Sequence, residues 1–168
     1  MVSDFFMEKH YIQYYQSPVG WLEITADDSS LISISFKREE GESTEDSSSV
    51  LKETITQLNE YFEGTRTSFQ LKVAPAGTDF QQKIWQLVTK VPFGETASYL
   101  EIALQSGSEK NTRAVGLANG KNPIPIIVPC HRIIGTNGKL TGYAGGLDKK
   151  RWLLLHEQKR SKAQNLLF

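Results

Sequence analysis

NTRAVGLANGKNPIPIIVPCHRII, residues 111–134, sets the architecture of the second half of this chain. Its opening, Asn111 to Asn119, reads as a short helix closed by Gly120. The remainder changes character. Pro123, Pro125 and Pro129 bracket an apolar run, so Asn122 to Ile134 is expected to be extended and stiff, and cannot be helical before Pro129. Upstream, Ser98 and Glu101 stand in capping-box spacing and open another short helix that Gly107 stops. Two short helices joined by a tight glycine-containing turn are the outline of a helix-turn-helix. Before them, Phe80, Ile84, Leu87, Val88 and Val91 share a helical face, with Thr78 and Gln81 as a second capping box and Pro92-Phe93-Gly94 as the stop. Downstream, Thr136-Asn137-Gly138 is a turn, and Gly142 to Gly146 is a loop whose glycines let backbone come close to something. Leu147 to Glu157 closes the half as a helix, with Asp148 as its expected cap.

The first half follows another pattern. Tyr11 to Phe36 alternates apolar and polar residues around two turn signals, Ser17-Pro18 with Gly20 and Asp27 to Ser30, which predicts strands joined by hairpins. Lys37 to Ser49 is acidic, serine-rich and aperiodic, so an exposed, mobile loop is expected. Leu51, Ile55, Leu58 and Phe62 then mark a helix ended by Gly64. Phe69 to Val73 is a candidate further strand. Pro75-Ala76-Gly77 divides the chain into a supporting domain, 1–74, and a second domain, 75–168.

With 168 residues, 39% of them hydrophobic, the chain can bury one good core or two small ones. No run of eighteen apolar residues occurs, and MVSDFFMEKH carries acids where a secretory leader would be basic and greasy, so a cytoplasmic protein with no membrane partner is expected. One cysteine excludes an internal disulfide and a multi-cysteine zinc site; the 3 histidines are scattered, and neither metal nor cofactor is expected. The formal net charge of zero hides an asymmetry. Up to Val91 there are 8 Lys+Arg against 14 Asp+Glu, and from Pro92 onward 11 against 5. A nucleic acid would be drawn to the second half and repelled by the first.

Cys130 carries the candidate chemistry. It follows a proline-stiffened segment and precedes His131 and Arg132, whose positive charge is expected to favour the thiolate. Neighbouring residues on a strand point to opposite faces, so Cys130 and His131 can cooperate only if a turn begins here or a water joins them. A third group must fix the imidazole tautomer. Glu157 is the leading candidate, and Asp148 is the alternative. A cysteine hydrolase, which needs an oxyanion hole, and a DNA binder without catalysis also fit residues of these types.

Taken in order, Arg113-Ala114-Val115-Gly116, Pro129-Cys130-His131-Arg132, Tyr143-x-Gly145-Gly146 and Trp152…His156-Glu157 resemble the O6-alkylguanine-DNA alkyltransferases, the methylated-DNA–protein-cysteine methyltransferases of bacterial Ogt type. The matching motifs run from about Thr78 to Glu157; the first half agrees only in layout. The resemblance implies an α+β fold, with an N-terminal small antiparallel sheet and helix of ribonuclease H-like type and a mainly helical, winged helix-turn-helix-like C-terminal domain. It implies a single-turnover suicide enzyme that moves the alkyl group of O6-alkylguanine in DNA irreversibly to Cys130, O4-alkylthymine being a further candidate substrate. Cys130 would be the acceptor, His131 the water-relayed base, Glu157 its orienting acid and Asn122 the brace of the turn. Tyr99 would crowd the target phosphate and donate to guanine N3. Arg113 would fill the space left by a nucleotide flipped through the minor groove, with Ala114, Gly116, Leu117 and Gly120 on the same DNA-facing helix. Tyr143, Ala144, Gly145, Ile133 and Pro129 would form the substrate pocket. The implied partner is double-stranded DNA carrying the lesion, bound by a monomer with no obligate protein partner. Several relatives carry serine where this chain has Ala144, and the cysteines that bind a structural zinc in some relatives are absent from the first half.

Overall fold

The computed structural model describes residues 8–165, and most of the stretch used above to argue against a secretory leader lies outside it. Alternating apolar residues between Tyr11 and Lys37 form three antiparallel strands, β1 (Tyr11–Ser17), β2 (Gly20–Ala26) and β3 (Leu31–Lys37), in the order β1-β2-β3. Ser17 Oγ accepts from Val19 N at 3.2 Å and donates to Gly20 O at 2.7 Å, which tightens the first turn around Gly20 at φ 100°. In the second turn Asp27 Oδ1 accepts from Ser29 N and Ser30 N, both at 2.7 Å. Leu22, Ile24 and Ala26 on β2 are fully buried beneath α1 (Ser49–Glu63). Ser48 caps that helix through Leu51 N, and Gly64 ends it at φ 85°.

Two expectations for this half change. Residues 38–46 are exposed, but they are tied along the outer edge of β1. Thr44 N donates to Ile12 O at 2.9 Å, Ile12 N to Thr44 Oγ1 at 3.1 Å and Tyr14 N to Ser43 Oγ at 3.1 Å. The loop's serines and threonines thus occupy an edge that would otherwise offer open pairing groups. Phe69 to Val73 is not a strand. Gln57 takes both backbone groups of Gln70, at 2.9 and 3.1 Å, and leaves only an isolated bridge between Leu31 and Val73.

The second half contains α2 (Asp79–Thr89), β4 (Ala97–Ser98), α3 (Tyr99–Ser106), α4 (Thr112–Gly120), β5 (Ile133–Ile134) and α5 (Leu147–Asn165). Both capping boxes are present, Thr78 with Gln81 and Ser98 with Glu101. Trp85 Nε1 donates to Ala118 O at 2.8 Å and joins α2 to α4. β4 and β5 pair in parallel through Ala97↔Ile133 and Ser98↔Ile134, bringing the start of α3 beside the segment that follows Cys130. The apolar core is continuous from Leu22 and Leu58 to Ile84, Ile102, Val115 and Leu153. α5 runs past Glu157 to Asn165, since its Lys, Arg, Gln and Ala residues favour helix without a buried face. Asp148 lies inside the first turn of α5, where its charge suits the helix N-terminus, and does not cap it.

Asn122 to Pro129 is not the extended segment expected from its prolines. The side chain of Asn122 draws it into a loop: Oδ1 accepts from Ile124 N and Nδ2 donates to Val128 O, both at 2.9 Å. Val128 N closes on Ile124 O at 3.0 Å. The closure forces Ile126 to φ 74°, rare for a β-branched residue, and its side chain is held by almost complete burial.

Candidate active site

A turn begins at Cys130, one of the two arrangements that would let it work with His131. Pro129 at φ −81°, ψ 60° forms an inverse γ-turn in which Cys130 N donates to Val128 O at 2.8 Å; a 3₁₀ turn over Cys130–Arg132 follows. All three of its side chains are buried. His131 Nε2 lies 2.7 Å from Glu157 Oε1. A carboxylate only accepts, so Nε2 carries the proton and the neutral ring offers Nδ1 as a base. Glu157 is fully buried near the middle of α5 and receives further donors: Tyr61 hydroxyl at 2.7 Å and Arg132 Nη2 at 3.0 Å on Oε1, Arg132 Nε at 2.9 Å and Gly94 N at 3.3 Å on Oε2. Burial alone would raise the carboxyl, but the bonds and charges of His131 and Arg132 outweigh it and hold Glu157 well below the usual carboxylate range. Burial lowers His131 despite Glu157, which keeps the ring neutral at pH 7.

The thiol departs from expectation. Burial pushes Cys130 up to about 11, against the downward pull of Asn122 and Lys150. Arg132 does not activate it, because that guanidinium is committed to Glu157 and to Val91 O at 2.6 Å. The resting sulfur is therefore protonated, and a base is needed to free it.

Beside this turn lies an open cleft of about 480 Å³, lined by Tyr99 of α3, Thr112, Gly116, Asn119 and Gly120 of α4, and the loop Thr141 to Ala144. Asn119 Nδ2 donates to Cys130 O at 3.2 Å, which links the cleft wall to the reactive turn. Three buried side-chain polar atoms among the described residues lack a partner, and all belong to this region: Asn119 Oδ1, His131 Nδ1 and the Tyr143 hydroxyl. Folded interiors leave few such atoms unpaired. Arg113 and Ala114 are exposed on α4, and Leu117 is 65% exposed there, an apolar side chain standing free beside the glycines.

The profile for "6-O-methylguanine DNA methyltransferase, DNA binding domain" matches residues 79–159, and that for the ribonuclease-like domain of the same family matches residues 10–75. A methylated-DNA–protein-cysteine methyltransferase of Methanosarcina acetivorans is 46% identical over 149 residues, spanning 86% of this chain and 96% of the relative. The chain belongs to the 6-O-methylguanine DNA methyltransferase family. A solved O6-methylguanine methyltransferase of Mycobacterium tuberculosis superposes with a TM-score of 0.82 at 44% identity, covering 90% of this chain and 94% of the other. The same mycobacterial protein has been solved in complex with DNA, and superposes with a TM-score of 0.81 over 89% of this chain and 93% of that one.

Within this 6-O-methylguanine DNA methyltransferase fold, three expected pocket residues stand elsewhere. Pro129 faces a separate cavity of about 230 Å³ with Phe69, Val91, Phe93 and Arg132, because the γ-turn directs it away from the cleft. Ile133 is fully buried, and its carbonyl is taken by Lys150 Nζ at 2.7 Å. Gly145 backs onto Phe36 and Lys149, where a Cβ would come within about 3.0 Å of both; of the expected loop residues, Tyr143 and Ala144 line the cleft. Sequence reading also missed contributors. Arg132 lies in the quoted motif but was credited only with charge. Lys150 is buried, bridges Ile133 O and Thr141 O (2.9 Å), and is lowered to about 8 by its burial. Tyr61 and Phe36, whose ring meets Tyr143 at 5.6 Å, come from the first half, and only the folded chain brings them here.

Proposed function

We propose that this protein repairs DNA by direct reversal, transferring the alkyl group of O6-alkylguanine to Cys130 in one irreversible step. The observation that carries the reading is the relay itself: a lone thiol beside a neutral imidazole whose proton-bearing nitrogen is held by a buried carboxylate, with its other nitrogen unpartnered. His131 Nδ1 takes the Cys130 proton through an intervening water. The sulfur attacks the alkyl carbon, the bond from that carbon to O6 breaks, and its electron pair remains on guanine. The ring then takes up a proton, so the net exchange is alkyl for hydrogen. Tyr99 hydroxyl, at the cleft mouth, is the donor assigned to guanine N3. Backbone N–H groups near Ala144 address O6, as no hydroxyl stands at that position. The thioether product has no good leaving group, which makes each molecule act once.

A base stacked in a duplex cannot reach a thiol this deep, so the reading requires the nucleotide to be extruded, at a cost of a few kcal/mol. Arg113, exposed on α4, is the residue assigned to fill the gap, and its exposure supports that role. Gly116 and Gly120 support close approach by DNA. A Cβ at Gly116 would meet only Tyr99, at 3.9 Å, and one at Gly120 would meet nothing within 4 Å, so packing within the protein does not demand either glycine. Bare helix with few hydrogen-bonding side chains suits a minor groove and weak sequence preference. The lesion-bearing duplex is thus the proposed partner of a monomer divided near residues 74–75, acting in the cytoplasm. No described helix is long and apolar enough to cross a membrane.

Stoichiometry tests the proposal. With excess O6-methylguanine duplex, repaired guanine is expected to rise to one equivalent per protein and stop, and Cys130→Ala to give none while still binding DNA. Continued turnover would indicate a hydrolase-like cycle, and full activity without the thiol would remove Cys130 from the chemistry.

A further inference from the structure

Tyr61 lies in the N-terminal half, 96 residues from Glu157 in sequence, yet its hydroxyl ends 2.7 Å from Glu157 Oε1. The residue is fully buried, and its ring is fixed by Phe62, Phe69, Phe93 and His156 at 5.1 to 6.1 Å between centroids. If α1 needed only an aromatic filler here, phenylalanine would serve without burying an oxygen. We propose that Tyr61 is a positioning residue of alkyl transfer, whose hydroxyl holds Glu157 and sets how strongly that carboxylate draws on the Nε2 proton of His131. The inference rests on the reading of Cys130 and His131 as acceptor and base.

Oε1 divides its charge among three donors, Tyr61, His131 and Arg132 Nη2. Removing the Tyr61 hydroxyl leaves more of that charge to the other two. A guanidinium has no proton to gain, so the change falls on His131, whose imidazolium form becomes easier to make. A protonated ring cannot take the thiol proton. The acid limb of the transfer rate therefore moves to higher pH when the hydroxyl is lost. The other groups facing His131 do not produce this shift: Glu157 is held well below the usual carboxylate range, the Arg132 guanidinium is bonded to Glu157, burial lowers Lys150 of α5 only to about 8, and burial raises Cys130 and the Tyr143 hydroxyl. On this account the N-terminal half is part of the acid–base relay as well as a support for it.

The test is single-turnover methyl transfer from an O6-methylguanine duplex between pH 5 and 8, for the unaltered protein, Tyr61→Phe and Leu58→Val. Leu58 is buried on the same helix but does not touch the relay hydrogen bonds, so its variant controls for lost packing. Tyr61→Phe is expected to move the acid-limb midpoint up by about half a pH unit, while Leu58→Val lowers the melting temperature and leaves the midpoint in place. A Tyr61→Phe profile that overlays the unaltered protein, or an equal shift in Leu58→Val, overturns the inference. Absence of transfer by the unaltered protein at every pH would instead defeat the reading of Cys130 as acceptor.

Discussion

The reactive turn and the cleft beside it are built on opposite terms. Around Cys130, His131 and Arg132 nearly every polar atom is already bonded, the side chains are buried, and Glu157 gathers four residues onto two oxygens. Along α4 and the loop from Thr141 to Ala144 the surface is open, with an exposed arginine, an exposed leucine and glycines that no internal contact demands. On the proposed function, the chemistry is assembled before substrate arrives, whereas the recognition face is completed by the duplex. The two regions meet at the three unpartnered atoms of Asn119, His131 and Tyr143.

Substitutions that strike one region and spare the other sharpen this contrast. The largest effect is expected from Glu157→Gln, which leaves the Arg132 guanidinium buried without its counter-ion. It should cost about 3 to 5 kcal/mol in urea-unfolding experiments and slow transfer roughly a hundredfold, on free base and duplex alike. A loss under 1 kcal/mol would mean that the relay is not the preassembled region. The same groups make the fold acid-labile. Glu157 is depressed in the folded state, so its contribution is present above the unfolded value near 4.5 and is lost as pH falls through and below it. His131 is also depressed, and below about 6.5 the unfolded chain takes up a proton that the buried ring refuses. Stability should decline with falling pH from about 6.5, in two stages, in denaturation midpoints measured from pH 8 to 3.

On the other side, Arg113→Ala should slow transfer from duplex DNA by tenfold or more and leave reaction with free O6-methylguanine nearly unchanged, since only the duplex has a gap to fill. Equal slowing on both substrates would mean that Arg113 serves the chemistry rather than extrusion. The smallest effect is the most diagnostic in sign. Gly116→Ala is expected to stabilise the protein by about 0.5 to 1 kcal/mol, because glycine inside a helix is unfavourable, while weakening duplex binding. A variant both more stable and equally tight on DNA would show that α4 does not need its bare backbone.

The sequence announced the elements whose signals are local. Both capping boxes, the hairpins around Gly20 and Asp27, and the stop at Gly64 stand where residue spacing put them. It misjudged Asn122 to Pro129, since three prolines forbid helix without specifying what replaces it, and the choice is made by one asparagine side chain bonding back to its own loop. Within the site, Glu157 could be named because the motif set points to it, but Tyr61, Phe36 and Lys150 have no local mark. Their roles arise from packing between halves distant in sequence. The charge of Arg132, adjacent to the thiol in sequence, suggested activation; in space it is spent on Glu157, and burial sets the thiol instead.

Mass spectrometry of the protein after incubation with O6-methylguanine duplex reads out whether the one sulfur takes the alkyl group. The intact mass should increase by one methyl group replacing one hydrogen, and peptide mapping should place that group on Cys130 alone. An unchanged mass alongside repaired DNA, or an adduct on any other residue, would contradict it.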